Sequence, residues 1–369
     1  MTGGYYKPSE TMVNFHIENL FEGNTCVLSA NDEKPAPNDR PFLVYRKPKG
    51  LLHRATSSLL HGTVKVPQGR RRAEITDFLK QQGVEIGVSE MGSQTMIVAP
   101  VFKAAGIPLV GYFRGEDASK TLRSPRRRRA YRLSVPKLAA VVSVSQFLLD
   151  NLARAGITHP NAHVIPSGVD LRRFKPAPDK RPNSFLAVGR FIEKKAPDLV
   201  VRAFARAAQE HPAATLEMIG DGYLLERCRI IAHEAGIADR ITFHGWQPHS
   251  FVAERMFDTQ VFLQHSVTPE DGNTEGLPTA IQEAMACGMA VVSTRHAGIP
   301  EAVEEGVTGF LVDEYDEAGF AAAIDRAMAR PTEVAEMGHE GRARAVSRFD
   351  NAVLIARFER LLEQVSQGG

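Results

Sequence analysis

Glu275 and Glu283 flank the run Gly276-Leu-Pro-Thr-Ala-Ile-Gln282, and carboxylates so placed suit the binding of hydroxyl groups. Pro278 fits the first turn of a helix, where its missing N–H costs nothing. Backbone N–H groups around Gly276, Leu277 and Thr279 would then be open to a phosphate, with the helix dipole in favour. Glu283, more than one turn into that helix, could accept from vicinal hydroxyls, as an acidic residue does for ribose in dinucleotide folds. Glu275 could do the same for a sugar. Taken alone, two such glutamates are more readily read as surface helix residues.

A second loop of this kind is Gly189-Arg190-Phe-Ile-Glu-Lys194-Lys195-Ala-Pro197. It gathers one guanidinium and two ammonium groups just before a helix N-terminus, a place that suits a diphosphate. Basic loop residues are also ordinary solvated groups, so spacing alone leaves both readings open. No metal-ligand spacing and no Asp-x-Asp pair stand out. His244, His249, His265 and His296 lie near these loops, where structural or solvated roles are the expectation for each.

The elements that must hold these loops read as strand and helix in alternation. Apolar runs at 184–188, 215–219, 241–244, 261–264, 290–293 and 310–312 predict buried parallel strands. Helical spacing predicts helices over 223–235, 251–258 and 278–286, and places Leu199, Val200, Ala203, Phe204 and Ala207 on one helical face. The first half shows the same rhythm less cleanly, with strands at 26–29, 42–45, 84–88, 109–112 and 140–144. Helices are expected over 74–82, 95–105 and 146–155, while residues 47–69 carry mixed signals. The fold class expected is α/β, with two facing doubly wound, Rossmann-like domains and ligands at the carboxyl ends of their strands. We expect domains at 1–172 and 173–345, with a helix in 346–369 packing back on the first domain through Val353, Leu354, Phe358, Leu361 and Leu362. A doubly wound domain usually opens with its central strand, but Gly3-Gly4 leaves no room for a full strand before it. A late start or a very short first strand is therefore expected.

The composition fits two globular domains: 369 residues, 43% hydrophobic and 24% charged. A net charge of +2 gives no global argument for nucleic acid, although Arg123 to Arg132 holds six arginines, including the run Arg126-Arg127-Arg128-Arg129. That run reads as an exposed helix face or as a patch for anionic lipid. Cys26, Cys228 and Cys287 are odd in number and far apart, which favours a reducing cytoplasm over a disulfide framework. The first residues lack the basic and apolar regions of a signal peptide, and no apolar stretch reaches the ~18 residues of a membrane span.

Several linked motifs in order carry a resemblance. Gly189-Arg190-x4-Lys195 comes first, then Glu275-x7-Glu283 running into Ala-Met-Ala-Cys-Gly-Met-Ala-Val-Val292. Gly298-Ile-Pro-Glu-Ala-Val303 and Gly306-Val-Thr-Gly-Phe-Leu-Val312 follow. With Val164-Ile-Pro-Ser-Gly-Val-Asp170 ahead of them, they resemble family 4 glycosyltransferases of the GT-B fold. The stretch 269–300 is similar to bacterial enzymes of the colanic-acid type.

The resemblance implies that Arg190 and Lys195 grip the donor diphosphate, Glu283 the ribose and Glu275 the donor sugar. It further implies that amides near Gly276, Leu277, Pro278 and Thr279, and the loops at Gly3, Gly4 and Gly189, approach the phosphates, and that the segment at Trp246 borders the base. Retention at the anomeric carbon, a UDP- or GDP-linked donor, no bound metal and no separate cofactor are implied too. Relatives often carry histidines where this chain has Glu90 and Arg114, while Asp117 keeps its place. Arg114 and Asp117 are thus the first-domain candidates for catalysis. Either Glu90 and Arg114 pair across adjacent strand ends, or Arg114 binds an acidic group of donor or acceptor. A glycan, lipid-linked or small-molecule acceptor is expected, at a cytoplasmic site that extends to the inner membrane face. The alternatives are a sugar-nucleotide epimerase of the same architecture and a catalytically silent nucleotide-sugar-binding partner protein.

Overall fold

A computed structural model describes residues 11–30, 40–45 and 50–368. The chain divides into two compact units, residues 1–166 with 353–369 and residues 167–352.

The first unit contains, in order, α1 (Thr11–Asn19), β1 (Val27–Ser29), β2 (Phe42–Val44), α2 (Leu51–His61), α3 (Arg70–Gln81) and β3 (Gly87–Ser89). There follow α4 (Gly92–Ala105), β4 (Leu109–Phe113), α5 (Pro125–Ser134), β5 (Ala140–Ser143), α6 (Gln146–Arg154) and β6 (Ala162–Val164). Strands β3 to β6 form one parallel sheet in sequence order, and β1 pairs in parallel with β2 apart from it. Among the described residues no strand lies between β1 and β3. A cavity of about 600 Å³ is found there instead, lined by Val13, Ile17, Val27, Leu28, Leu79 and Phe102, with His16 and Glu90 also on its wall.

The second unit carries β7 (Arg181–Val188), α7 (Pro197–Ala207), β8 (Thr215–Ile219), α8 (Leu225–Glu234), β9 (Ile241–Gly245), α9 (His249–Asp258) and β10 (Thr259–Gln264). It continues with α10 (Thr279–Ala286), β11 (Ala290–Thr294), α11 (Ile299–Ala302), β12 (Gly309–Val312), α12 (Glu317–Ala329) and α13 (Pro331–Arg348). Its six-stranded parallel sheet has the order β12-β11-β10-β7-β8-β9. The order reverses beside β7, the switch point at which loops open a ligand crevice in such sheets. Phe185, Leu216, Val261, Leu263 and Val292 stand in its core, with Val200, Val201 and Phe204 of α7 packed on one face.

The last helix, α14 (Asn351–Gln367), belongs mainly to the first unit, where the Phe358 ring meets those of Tyr112 and His16. Leu354, Phe358, Leu361 and Leu362 are buried there, but Val353 is 56% exposed and is no part of the apolar face expected for it. The boundary also differs from the one expected at 172/173. Gly168 donates to the Gln282 side chain, and the backbone of Val169 exchanges hydrogen bonds around Asp350, so the segment after Pro166 is tied to the second unit.

Candidate functional site

The loop after β7 is shaped by a close approach that only glycine permits. Gly220 has φ +138°, and a Cβ there would stand 1.9 Å from the carbonyl oxygen of Gly189. Gly189 in turn donates to the carbonyl of Ile219, so the loops after β7 and β8 are locked side by side. Arg190 leaves this junction exposed, and its guanidinium makes no ion pair among the described residues. Lys195 comes from the short 3-10 turn Glu193–Lys195 that feeds α7. Arg190 and Lys195 share the wall of a small cavity above Val188 and Gln264.

Glu275, on the loop after β10, is 8% exposed and faces the same lysines. Lys195 Nζ stands 3.1 Å from its Oε1, and Lys194 Nζ 3.7 Å from Oε2. Burial pushes the carboxyl pKa up, but Lys195 and Lys194 outweigh burial and hold it at about 2. Lys195 meets Oε1 at hydrogen-bonding distance, and a carboxylate oxygen carries a second lone pair, so it retains acceptor capacity for a hydroxyl. Because the folded-state pKa is depressed, this group adds stability above the ordinary carboxylate pKa of 4.5 and loses it as pH falls toward about 2. Acid titration of wild type and Glu275→Gln is expected to show a smaller loss of stability over that window in the variant.

Directly after Glu275 the chain turns into α10. Pro278 is its N-cap and Thr279 its first residue, one position later than expected. The N–H groups of Gly276, Leu277 and Thr279 donate to no group among the described residues. Glu283, 8% exposed on α10, is held by His249 at 2.9 Å. Trp246 lies just past β9 and is 65% exposed, an open aromatic face beyond Gly245. The second unit therefore brings Gly189, Arg190, Lys195, Glu275 and the Gly276–Thr279 amides onto neighbouring loops. Gly3 and Gly4 lie outside the described residues.

His296 is a participant that sequence reading assigned to an ordinary structural role. It is fully buried, and its Nε2 accepts from the Glu275 backbone N–H at 3.0 Å. With Nε2 accepting, the proton sits on Nδ1, which donates to Glu314 Oε1 at 2.7 Å. Glu314 also takes the Thr268 backbone N–H and hydroxyl, so one histidine joins three loops and fixes where Glu275 stands. No local spacing signals this, because the partners lie 18 and 21 residues away. His296→Ala is expected to lower stability by about 1–3 kcal/mol, because the buried Glu275 N–H loses its acceptor, as measured by thermal unfolding.

In the first unit, Glu90 and Arg114 stand just after the adjacent strands β3 and β4, and of the two readings left open for Arg114 the ion pair is the one made. Arg114 Nη2 lies 2.5 Å from Glu90 Oε2, its Nε donates to the Glu90 carbonyl, and its guanidinium covers the Tyr112 ring at 4.1 Å. His16 Nδ1 reaches the other Glu90 oxygen at 2.9 Å. Burial raises the Glu90 pKa, and His16 and Arg114 together reverse that and hold it well below the usual carboxylate range. Asp117 accepts from the backbone N–H groups of Gly92, Arg114 and Gly115, which makes it the clamp of the loop after β4. Among the described residues no group of three His, Cys, Asp or Glu side chains is placed to hold a metal ion.

The sequence matches the description "Glycosyl transferases group 1" over residues 169–344 and "Glycosyltransferase Family 4" over residues 71–173. It is 34% identical over 187 residues to a putative colanic acid biosynthesis glycosyltransferase of Escherichia coli, covering 50% of this chain and 46% of that protein. The chain thus spans about half the length of that curated relative. A GDP-mannose-dependent alpha-(1-6)-phosphatidylinositol monomannoside mannosyltransferase of Mycolicibacterium smegmatis is 26% identical over 313 residues, covering 81% of this chain and 82% of that one. Among solved structures, Anabaena HepE in complex with UDP superposes with a TM-score of 0.78 at 18% identity, over 99% of this chain and 98% of the other. That likeness carries the fold: parallel α/β units of the GT-B architecture. Residues 71–344 thus carry two glycosyltransferase domains, one matching family 4 and one group 1, on a fold shared with solved GT-B enzymes.

Proposed function

We propose that the chain transfers a sugar from a nucleoside-diphosphate sugar to a hydroxyl acceptor with retention at the anomeric carbon. The observation that carries this is Glu275, buried against two lysines with acceptor capacity left on Oε1, beside the free amides of Gly276, Leu277 and Thr279. Arg190 and Lys195 supply positive charge to the diphosphate as the anomeric C–O bond breaks and its electron pair moves onto the leaving phosphate. The acceptor oxygen attacks the same face, and its proton passes to the departing phosphate oxygen. Glu275 holds donor hydroxyls while positive charge builds on the sugar ring, and Glu283, steadied by His249, takes the ribose. With this charge supplied by side chains, the reading calls for neither a metal nor a further cofactor. UDP or GDP donors are favoured, since similar proteins are named for UDP complexes and for GDP-mannose dependence. The acceptor is a glycan, a lipid-linked sugar or a small molecule of surface-polysaccharide synthesis, as the name of the Escherichia coli relative supports. The protein works in the cytoplasm and peripherally on an anionic inner membrane face, through Arg126 to Arg129.

A second reading is supported by Arg114, which is committed to Glu90 where relatives often carry a histidine: a nucleotide-sugar-binding partner protein without turnover. Thermal-shift screening against UDP- and GDP-sugars, followed by a diphosphate-release assay with and without candidate acceptors, decides. Transfer requires acceptor-dependent release. Binding without release supports the silent partner, and donor interconversion without acceptor supports an epimerase.

A further inference from the structure

Helix α2 is built inside out. Its polar side chains face the protein: Ser57 is fully buried and accepts from the Val66 N–H while donating to the Thr63 carbonyl. His53 bonds to the Val66 carbonyl, and Thr56 to Gln68. Its leucines face outward, with Leu51 85%, Leu52 80%, Leu59 73% and Leu60 61% exposed. At helical spacing Leu51, Leu52, Ala55 and Leu59 share one face. A surface helix of a globular domain normally does the reverse. Such a cluster of exposed leucines marks an interaction surface.

What surrounds the leucines gives the partner its charge. From Gly50 to Arg72 the sequence holds five lysines and arginines and no acidic residue, and from Ala118 to Lys137 eight and none. The second stretch is fixed against α2. Gly62, the C-cap of α2, approaches the Ala130 backbone so closely that a Cβ would stand 2.9 Å from it. Arg129 donates to the carbonyls of Ser58 and Leu59 in the last turn of α2. Arg126 and Arg127, exposed, and Arg128 lie in the first turns of α5, where the helix dipole disfavours positive charge. The dipole thus gives these three arginines no gain in helix stability, and of them Arg127 donates to the Thr121 hydroxyl.

We infer that α2 and the start of α5 form a membrane-docking surface, with the leucines of α2 inserting among the lipids of an anionic bilayer and Arg126 to Arg128 lying on its phosphates. This rests on the peripheral placement proposed above and adds the apolar half of the contact. A duplex nucleic acid or a soluble polyanion would use the arginines and leave the leucines idle. A bilayer interface uses both.

The test is co-sedimentation of the full chain with phosphatidylcholine vesicles, with and without phosphatidylglycerol, at low and high salt. The wild type is expected to bind only the anionic vesicles and to keep part of that binding in high salt. Leu51→Gln, Leu52→Gln and Leu59→Gln combined should weaken binding on the order of tenfold or more and abolish the salt-resistant part. Arg126→Gln, Arg127→Gln and Arg128→Gln combined, sparing the Arg129 cap, should lose about fivefold per arginine at low salt. Both variants should bind a sugar nucleotide as the wild type does, so failure of the donor reading is seen separately. Loss of binding in the arginine variant with none in the leucine variant overturns the insertion and leaves electrostatic adsorption. Absence of wild-type binding to anionic vesicles, with or without binding to duplex DNA or RNA, overturns the surface and the peripheral placement together.

Discussion

Arg190→Ala is expected to lower turnover on the order of 10² to 10³ while the melting temperature stays at the wild-type value. The two halves of that expectation come from different observations. Arg190 is exposed and makes no ion pair among the described residues, so nothing in the fold depends on it, and surface changes of this kind stay within about 0.5 kcal/mol. Its place at the end of β7, at the sheet's switch point and beside Lys195, is where a leaving diphosphate would need a guanidinium. A residue serving only the fold cannot give a large loss of rate without a loss of stability. Lys195→Ala is a less clean probe, because it also removes the nearer partner of buried Glu275. Glu275→Gln keeps the shape and removes the charge, and a comparable loss of rate is expected there. Steady-state release of diphosphate and thermal unfolding, measured on the same preparations, check both halves.

Arg114→Ala is expected to destabilise the first unit by about 3–5 kcal/mol, because it strands a buried carboxylate. Glu90 is 4% exposed, and without Arg114 it would keep only His16. For a unit of this size the loss lowers the melting temperature by roughly 10 °C. The double variant Arg114→Met, Glu90→Gln should recover much of it, since the uncompensated charge is gone. If Arg114 instead served mainly to bind a ligand, Arg114→Ala would leave unfolding unchanged and weaken binding alone.

How much of this was legible in the sequence depended on where the information sits. Strands β7 to β12 read clearly because a parallel strand covered on both faces is a continuous apolar run, as in Val261 to Leu263. The site loops followed from them, since each comes directly after a strand. The Glu90–Arg114 pair was one of two readings, raised by the resemblance, whose relatives often carry histidines at these positions; it forms because both residues follow neighbouring strands by one position. Helix α2 was not legible, because its leucines point outward and its serine inward, so burial periodicity gave a mixed signal. Nor was the role of His296, whose two partners meet only when three loops fold together. The domain boundary shifted because Gly168 and Val169 find partners far along the chain, at Gln282 and near Asp350. Val353 satisfied helical spacing yet lies on the open flank of α14, where spacing alone could not separate edge from centre.

In the proposed reaction the loops after β7 and β10 bind the diphosphate and the sugar of one donor. Calorimetric titration of UDP, GDP and their hexose conjugates into wild type, Arg190→Ala and Glu275→Gln tests it most directly. Saturable wild-type binding is expected, with Arg190→Ala weakening nucleoside diphosphate and sugar nucleotide alike. Glu275→Gln should erase only the gain that the sugar brings. Wild-type-like binding in both variants, or no binding of any sugar nucleotide by the wild type, would contradict the account.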